Sequence, residues 1–310
     1  MSPDRPVGPE PFLEVLATGP GATVQDQGRV GYGELGVGRS GAADAPSLRL
    51  ANRLVGNPEE HAGLEITFGG LRVRFTHPAL IAVTGARGPV TAGGRAGGIN
   101  APIPVYAGDE LVIGAPARGM RSYLAVRGGI AVEPVLGSRS TDTLAGLGPA
   151  PLEPGTTLPV GRTDLRYPDV DLAPQREHPD RPVLRVVPGP REDWFTDAAT
   201  ERLYDAAGYQ VSADSNRVGM RLEGPVLEHR GRGELAPEAC VAGALQVPPS
   251  GQPILFLADH PVTGGYPVIG VVHPDDLPLA AQARPGQHVR FRPDRGGARS
   301  SPTSAQEGQP

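Results

Sequence analysis

Apolar residues in this chain occur in short runs that turn-forming residues separate. Leu71–Phe75 alternates strictly between apolar and polar positions, whereas residues 80–83 and 123–126 are continuous apolar runs. Two further apolar runs, at residues 253–258 and 266–272, enclose a polar, glycine-containing segment. Runs of about four to eight such residues bounded by turns are typical of strands in a packed sheet. The pattern therefore predicts a mostly β protein.

Helical patterns are few and short. Pro46 suits the first turn of a helix whose apolar positions share one face, and Gly56 ends that helix. Asn57, followed by a proline and two glutamates, predicts the start of a second helix. In the second half of the chain, Thr196 predicts the cap of a helix that runs to about residue 207. The sequence thus predicts a few short helices among many strands.

The length of the chain and two similar phrases indicate that it is built from two halves. At 310 residues it is long for a single core, because domains average roughly 150 residues. Residues 107–112 and 284–291 resemble each other, because in both a turn that contains glycine leads into an apolar strand pattern. Residues 167–182 are rich in proline and charged residues, as is typical of a linker. The predicted divisions are a first β domain over residues 12–170, a second over residues 183–292, and flexible termini over residues 1–11 and 293–310.

The composition and charge of the chain predict where it works and which partners it does not bind. The 44 glycines and 36 prolines fall between the apolar runs, so they punctuate strands rather than fill a disordered chain. A net charge of −5 argues against nucleic acid or an anionic membrane surface as a partner. The single cysteine excludes an internal disulfide and fits a reducing compartment. The first residues lack an apolar targeting segment, and no run approaches about 18 apolar residues, so we expect a cytoplasmic protein.

The chain contains no lysine, because all 29 of its basic residues are arginine. This excludes a P-loop lysine, a Schiff-base lysine and a lysine for biotin attachment. The seven histidines never occur in metal-binding spacings, so no metal site is predicted. No G-x-S-x-G nucleophile motif exists, and Cys240 lies in an apolar run that favours a buried, unreactive thiol.

Three polar segments remain as candidates for chemistry, and the first is residues 24–44. It holds six glycines and almost no apolar periodicity, which predicts a long irregular loop, and loops of that length are usually functional or disordered. Its Asp26, Arg29, Ser40 and Asp44 are side chains that bind small polar ligands. A surface ion pair between Asp26 and Arg29 explains the charged pair equally well.

The second candidate segment lies between the last two apolar runs. Asp259, His260 and Thr263 precede the adjacent Gly264 and Gly265. Two neighbouring glycines let the backbone approach a ligand closely and leave their N–H groups unscreened. The alternative is a hairpin loop with ordinary turn residues.

The third candidate segment contains a pair of arginines. If the chain is extended there, Arg217 and Arg221 point to the same face, since strand side chains repeat every two residues. Two guanidinium groups on one face make a clamp for a carboxylate or a phosphate. Surface pairing of these arginines with Glu223 or Asp214 is the alternative.

These segments carry a resemblance that covers residues 12–292. The chain resembles the KipA/PxpC family of 5-oxoprolinase subunits, also called biotin-dependent carboxyltransferase-like proteins or allophanate hydrolase subunit 2. The departures from the family pattern are Ala43 and Val218 in place of methionine, and Val262 in place of a threonine whose hydroxyl is one expected hydrogen-bond donor. The matching motifs follow the family's order: VQDQGRVGYGELGVGRSGAAD (24–44), LRLANRLVGNPEE (48–60), YLAVRGGIAVEPVLGSRSTD (123–142), VVPGP (186–190), SNRVGMRLEGP (215–225), GALQVPPSGQPILFLADHPVTGGYPVIGVV (243–272) and RPGQHVRF (284–291).

The resemblance implies two cyclophilin-like β-barrel domains and a place in a hetero-oligomeric hydrolase. The implied partners are a KipI/PxpB-like subunit and a PxpA-like subunit, which with this chain would open 5-oxoproline to glutamate using ATP with Mg²⁺, with no biotin on this chain. Motif position and residue type predict the site, with no metal ligand. We expect catalytic roles for Asp26, Asp44 and Asp259, and binding of the small anionic substrate or its phosphate by Arg29, Ser40, Asn216, Arg217, Arg221, Thr263, Gly264, Gly265 and Tyr266.

Two other functions are compatible with the same resemblance. A biotin-dependent carboxyltransferase, as in urea carboxylase, would need a separate biotin carrier because this chain lacks lysine. A non-catalytic role would have the chain sequester a KipI-like inhibitor and so regulate a sensor kinase, with the polar loops as contacts between the two proteins. All three functions require the candidate segments to meet in space.

Overall fold

A computed structural model describes residues 12–174 and 177–294 of the chain. The predicted flexible terminus at residues 1–11 lies outside the described residues, as do residues 295–310 of the predicted tail. Within the described part, strands dominate and the helices are short, so the mostly β class is confirmed. No helix in the described ranges is long and apolar enough to cross a membrane.

Residues 12–159 contain eleven strands, one α-helix and one short 3-10 helix over Gly33–Leu35. The strands form a six-stranded sheet in the order β11-β1-β4-β9-β6-β7 and a five-stranded sheet in the order β2-β3-β10-β5-β8. The elements are β1 (Phe12–Thr18), β2 (Gly21–Gln25), α1 (Ala45–Leu54), β3 (Gly63–Thr67), β4 (Leu71–Phe75), β5 (Ala79–Gly85), β6 (Val90–Ala92), β7 (Arg95–Gly97), β8 (Pro102–Val105), β9 (Glu110–Ile113), β10 (Arg121–Val126) and β11 (Thr157–Pro159).

The two N-terminal sheets enclose one apolar core. Strand β4 buries Leu71, Val73 and Phe75 against it and turns its arginines outward, as the strict alternation predicts. Strand β10 is buried along its whole length because α1 covers its second face, where Ala51 packs near Ala125. These strands therefore form two sheets around a core, whereas the predicted closed barrel occurs only in the second half of the described chain.

Residues 183–293 fold into a closed seven-stranded barrel in the order β12-β19-β16-β17-β14-β13-β20. Parallel pairing of β12 with β20 closes it, and its interior is a second apolar core. The elements are β12 (Val183–Pro188), α2 (Asp197–Leu203), β13 (Tyr209–Val211), β14 (Gly219–Glu223), β15 (Glu238–Ala239), β16 (Ala244–Gln246), β17 (Ile254–Phe256), β18 (Thr263–Gly264), β19 (Val268–Val272), α3 (Leu277–Ala281) and β20 (His288–Pro293).

The alternative of a simple hairpin over residues 253–272 is wrong. Strands β17 and β19 do not pair with each other, because β16 lies between them and bonds to both. The segment between them instead contains β18, which pairs with β15 in a separate two-stranded sheet. Because β17 and β19 are both antiparallel to β16, they run parallel to each other, so this segment is a crossover connection and not a hairpin turn.

Two helix predictions need correction. The segment beginning at Asn57 is a turn, because the Asn57 amide donates to the carbonyl of Val126 and its oxygen accepts the N–H of Gly128. That amide caps the end of a strand instead of starting a helix. Helix α2 is capped by Thr196 as predicted, but it ends at Leu203 rather than near residue 207.

The structure shows what the two similar turn sequences and the predicted linker form. Gly108 and Gly286 both have positive φ, +85° and +82°, in the turns that lead into β9 and β20. The predicted linker packs against both halves: Ala173 lies against the α1 cluster, and the carbonyl of Asp180 accepts from the Gln287 side chain. The two halves therefore meet over a shared surface, and its centre is polar.

Candidate functional site

Asp26 organises the long loop that follows β2. Its carboxylate is buried and accepts hydrogen bonds from the hydroxyls of Ser138 and Ser140, at 2.6 Å each, and from the N–H groups of Gly28 and Arg139. Both carboxylate oxygens are therefore bound by protein donors. Asp26 holds residues 26–28 against the 138–140 segment rather than facing a ligand.

Arg29 does not pair with Asp26, so the predicted surface ion pair is wrong. Its side chain is 2% exposed, and its guanidinium donates to the carbonyls of Val135 and Ser140. The contact ties the glycine-rich loop to the segment around residue 135. Arg29 is thus a buried contact that holds the loop to its neighbours.

Arg217 joins the two halves of the molecule. Its guanidinium donates to both oxygens of Asp259, at 2.9 Å each, to the Glu65 carboxylate on β3, and to the Gly41 carbonyl at 2.6 Å. All three charged side chains are buried, with Arg217 at 8% exposure and the two acids at 1%. The predicted segments 24–44, 217–221 and 259–265 do meet here.

Arg217 and Arg221 do not form the predicted clamp. Arg217 precedes β14 and is neutralised by two acids, while Arg221 lies on β14 and is exposed. The alternative surface partners, Glu223 and Asp214, form no ion pair with either arginine in the described structure. Tertiary neighbours from the other half of the chain decide the environment of Arg217.

Ser40 extends the same network. Its hydroxyl lies 2.7 Å from Asp259 Oδ1 and 3.1 Å from the carbonyl of Thr141, and Thr143 donates to the other Asp259 oxygen from its hydroxyl and its N–H. Ser40 has φ +53°, in the left-handed region that few non-glycine residues adopt. The network holds Ser40 in this strained conformation at the wall of a cavity.

Asp44 caps α1 and reaches the second half of the chain. Its carboxylate accepts from the N–H and hydroxyl of Ser47 and from the side-chain amide of Gln282. The Gln282 oxygen in turn accepts from the N–H groups of Met120 and Arg121. Asp44 is therefore a cap and an interdomain contact.

The buried charges shift pKa values in directions that follow from their neighbours. Burial favours the neutral carboxyl, but Arg217 outweighs it and holds the pKa of both Glu65 and Asp259 below the usual range. Burial is the dominant cause at Asp44, whose pKa is raised despite its hydrogen bonds from Gln282 and Ser47. The Glu65–Arg217–Asp259 cluster is accordingly ionised at neutral pH.

A cavity of about 770 Å³ lies between the two halves. Arginines from three elements line it: Arg39 on the loop, Arg49 on α1 and Arg185 on β12. Arg185 is held by both oxygens of Asp276 at 2.8 and 2.9 Å, whereas Arg49 has only a 3.6 Å contact with Glu59. Asp275 and Asp276 also line the cavity, so Arg39 and Arg49 are the groups in it that suit a small anion, because arginine forks match carboxylate and phosphate.

His260 lines both this interdomain cavity and a smaller one of about 430 Å³, which Thr263 also lines. The ring stacks on Phe256 with centroids 6.0 Å apart, and Nδ1 lies 2.8 Å from the carbonyl of Pro261. Because a carbonyl only accepts, Nδ1 carries the proton in that contact and Nε2 is left as the proton-accepting nitrogen. His260 is thus a candidate for proton transfer in this site.

The other predicted binding residues make local contacts within the second half of the chain. Asn216 is exposed, and its side-chain oxygen accepts the N–H groups of Val218 and Gly219. A Cβ added at Gly264 would lie 2.5 Å from Gln246 Nε2, so the Gln246 side chain would have to move to accept one. Tyr266, beyond Gly265, has a side chain that is 46% exposed, and only its carbonyl is engaged, by Gln246.

Sequence reasoning selected Ser40 and His260 but missed the arginines that line the interdomain cavity. Arg39 and Arg49 lie within or beside the predicted loop, but arginine is the sole basic residue type here, so its presence carries no signal. Arg185 occupies a strand whose sequence does not show that the two halves meet beside it. Among the described residues, no three His, Cys, Asp or Glu side chains cluster as metal ligands.

The sequence and the fold match a known family. The model of the carboxyltransferase domain, subdomain A and B, matches residues 35–293, and the chain belongs to that family. Two relatives of similar length are each named as a subunit of 5-oxoprolinase. The chain is 38% identical to the one from Escherichia coli and 32% identical to the one from Haemophilus influenzae, over 90% of this chain and 90% of each relative.

Longer proteins contain a similar unit. The chain is 33% identical to the urea amidolyase of Lachancea kluyveri, of which it covers 17%. Among solved structures, TTHA0988 superposes with a TM-score of 0.84 at 36% identity over 94% of this chain and 57% of that one. The K. lactis urea amidolyase superposes equally well at 32% identity, over 19% of its chain. In these proteins the matched fold is one part of a larger polypeptide.

Proposed function

We propose that this chain is the PxpC-type subunit of an ATP-dependent 5-oxoprolinase, in which it binds a small anionic substrate in the interdomain cavity. The observation that carries the proposal is the match, over 90% of both chains, to two proteins named as the same 5-oxoprolinase subunit. The arginine-lined cavity is consistent with 5-oxoproline, which carries a carboxylate. The proposed complex also contains a KipI/PxpB-like and a PxpA-like protein.

The proposed reaction has several chemical steps, which is consistent with an enzyme of several subunits. A lactam is a poor electrophile, so the proposed reaction first transfers the γ-phosphoryl group of ATP to the lactam oxygen. Water then adds to the activated carbon, and the ring C–N bond breaks as the nitrogen takes up a proton, which gives γ-glutamyl phosphate. A second water hydrolyses this acyl phosphate to glutamate and inorganic phosphate. Such a transfer depends on positioning and positive charge rather than on a protein nucleophile.

The residues of this chain suit binding and proton transfer in that sequence. Arg49 and Arg39 are the cavity arginines without a close carboxylate partner, so they are the proposed carboxylate or phosphate ligands. His260 Nε2 is the proposed acceptor of a proton from water. Asp26 and Asp259 are proposed as positioning residues, because protein donors already engage both of their oxygens.

Among the residues that the structure describes, no three His, Cys, Asp or Glu side chains cluster as metal ligands, whereas an Mg²⁺ ion held by the ATP phosphates needs only one or two protein carboxylates. The proposal therefore assigns no step of this chain to the metal. ATP with Mg²⁺ would be bound chiefly by another subunit or at the interface with it.

Replacing Arg49 with Gln tests the cavity. Arg53 is a matched control, because it lies one turn further along α1, also pairs with Glu59 and does not line this cavity. In the reconstituted complex, Arg49→Gln should raise the KM for 5-oxoproline about 10- to 100-fold, the worth of one charge-assisted hydrogen bond, while Arg53→Gln should not. Equal KM values for both variants would remove the cavity from the proposal.

A biotin-dependent carboxyltransferase is the second candidate, favoured by the name of the matching family model. Because the chain has no lysine, the biotin would be carried by another protein. Transfer of a carboxyl group from carboxylated free biotin by this chain, without ATP-dependent glutamate formation, would support this candidate over the first.

A further inference from the structure

We infer that the interdomain cavity recognises a zwitterion, a small molecule that carries both carboxylate and ammonium groups, and that Asp275 binds the ammonium. The class of ligand follows from the charges that line the cavity. Its identification as glutamate rests on the proposed function, in which glutamate is the product. The inference adds a residue of opposite charge to the arginines already assigned to this cavity.

The two halves of the chain contribute different charges to the wall of the cavity. Arg39 and Arg49 are the charged residues that the first half places there, so its contribution is cationic. The second half contributes Arg185, Asp275 and Asp276. The charge that the second half offers to a ligand therefore depends on which of these three groups already bind each other.

Arg185 and Asp276 bind each other. Asp276 accepts hydrogen bonds from Nε and Nη2 of Arg185, at 2.9 and 2.8 Å, and from its backbone N–H at 2.7 Å. Such a two-pronged pair is a strong contact and has no net charge. Asp275 thus gives the second half of the wall its negative charge.

Asp275 has no close partner within the described part of the chain. Its side chain is 76% exposed, and its carboxylate lies 3.8 Å from Arg185 and 3.7 Å from Nδ1 of His273, both longer than a hydrogen bond. The same Nδ1 accepts the backbone N–H of Asp275 at 3.3 Å, at the start of the short 3-10 helix Pro274–Asp276. Because Nδ1 is the acceptor in that contact, the imidazole does not donate to the carboxylate. Both carboxylate oxygens can therefore accept N–H groups of a ligand.

The cationic groups of the cavity are also weakly engaged. Arg39 donates to the carbonyl of Gln27 at 3.3 Å and forms no ion pair with the residues that the structure describes. Arg49 shares Glu59 with Arg53 and lies 3.6 Å from it. Groups of both signs are thus free in one cavity, which complements a molecule that itself carries both signs.

The opened amino acid matches these charges and the closed lactam does not. Glutamate carries two carboxylates and an ammonium at neutral pH, whereas 5-oxoproline carries one carboxylate and a neutral ring nitrogen. In the proposed reaction, ring opening adds protons to that nitrogen and so creates the cation that Asp275 would bind. The volume of about 770 Å³ lies within the range of cavities that hold small molecules. We therefore expect the cavity to bind glutamate more tightly than 5-oxoproline.

The test compares glutamate with glutarate, which has the same two carboxylates and no ammonium, in calorimetric titrations of the whole chain. Wild-type protein should bind glutamate about 5- to 10-fold more tightly than glutarate, between the worth of an exposed ion pair and that of a charge-assisted hydrogen bond. Asp275→Asn should abolish this preference, chiefly by weakening glutamate binding. The ratio of the two affinities in one sample does not depend on how much of that sample is folded.

Asp193→Asn is the matched control. Asp193 also lies in a short 3-10 helix of the second half, Glu192–Trp194, and does not line this cavity. This variant should keep the wild-type preference for glutamate. Arg49→Gln should weaken the binding of glutamate and glutarate by similar factors, because both ligands carry the carboxylates that an arginine binds.

The outcomes separate the zwitterion site from the proposed function. Equal affinity of the wild-type chain for glutamate and glutarate, or an unchanged preference in Asp275→Asn, overturns the inference; glutamate formation by the reconstituted complex would then leave the proposed function standing. If the wild-type chain binds neither these compounds nor 5-oxoproline at millimolar concentration, the inference and the assignment of the substrate to this cavity both fall. A preference for glutamate that Asp275→Asn removes, in a chain whose complex forms no glutamate, would support the zwitterion site and overturn the proposed function.

Discussion

Replacing Arg217 with Met tests whether this arginine stabilises the fold by neutralising the buried Glu65 and Asp259. The substitution keeps much of the side-chain length but removes the charge that neutralises Glu65 and Asp259. Both acids are 1% exposed, so neither regains water without opening the interface between the two halves. We therefore expect a large loss of stability from a residue that a sequence-based interpretation assigns to ligand binding.

The magnitude follows from the contacts that remain. Removing one partner from a buried ion pair typically costs about 3–5 kcal/mol, because an uncompensated charge stays behind. Glu65 keeps a 3.4 Å contact with Arg121, and Asp259 keeps the hydroxyls of Ser40 and Thr143. These remaining contacts place the expected loss in the lower half of the range, at about 3–4 kcal/mol.

Urea titration measures this loss. The fluorescence of Trp194, the single tryptophan, reports on the second half of the chain, and circular dichroism reports on both halves. The control is Arg221→Met, since Arg221 is exposed on β14 and should change stability by less than about 0.5 kcal/mol. A loss below about 1 kcal/mol for Arg217→Met, or equal losses for the two variants, would refute the reasoning.

Two further predictions concern stability. The pKa values of Glu65 and Asp259 are lower in the folded chain than their ordinary 4.5 and 3.8, so their contribution is fully present above those values and is lost as pH falls through the folded values. The free energy of unfolding attributable to the cluster should thus decline only in the acid range; a decline near neutral pH would contradict this sign. Gly28→Ala should cost at least about 2 kcal/mol more than Gly31→Ala in urea titrations. Both glycines have positive φ, but a Cβ at Gly28 would lie 2.5 Å from the carbonyl oxygen of Arg39, whereas nothing lies within 4 Å of one at Gly31; equal losses would contradict the packing argument.

Strands could be predicted from the sequence where apolar residues alternate or run continuously as they do in buried strands. The alternation of Leu71–Phe75 and the continuous apolar run in β10 correspond to one buried face and two buried faces. Strand order was not accessible: β17 and β19 are close in sequence, yet β16 lies between them. Local signals also failed at Asn57, whose side chain serves a strand from a distant part of the chain.

The candidate site could likewise be predicted only in part. The polar loops that sequence patterns select do converge, since Ser40 and Asp259 lie 2.7 Å apart although 219 residues separate them. The sequence does not show which polar side chains bind other groups of the protein and are therefore not free to bind a ligand. Arg217 and Asp259 carry the residue types of a ligand site, but their buried partner Glu65 comes from a strand with no motif of its own. The cavity arginines escaped notice because their significance depends on their position between the two halves.

The most direct measurement of the central claim is ATP-dependent glutamate formation from 5-oxoproline by this chain together with purified KipI/PxpB-like and PxpA-like subunits. The account predicts that glutamate appears only when ATP and all three proteins are present, and that ADP forms in step with it. Glutamate formation at the same rate when this chain is omitted would contradict the account.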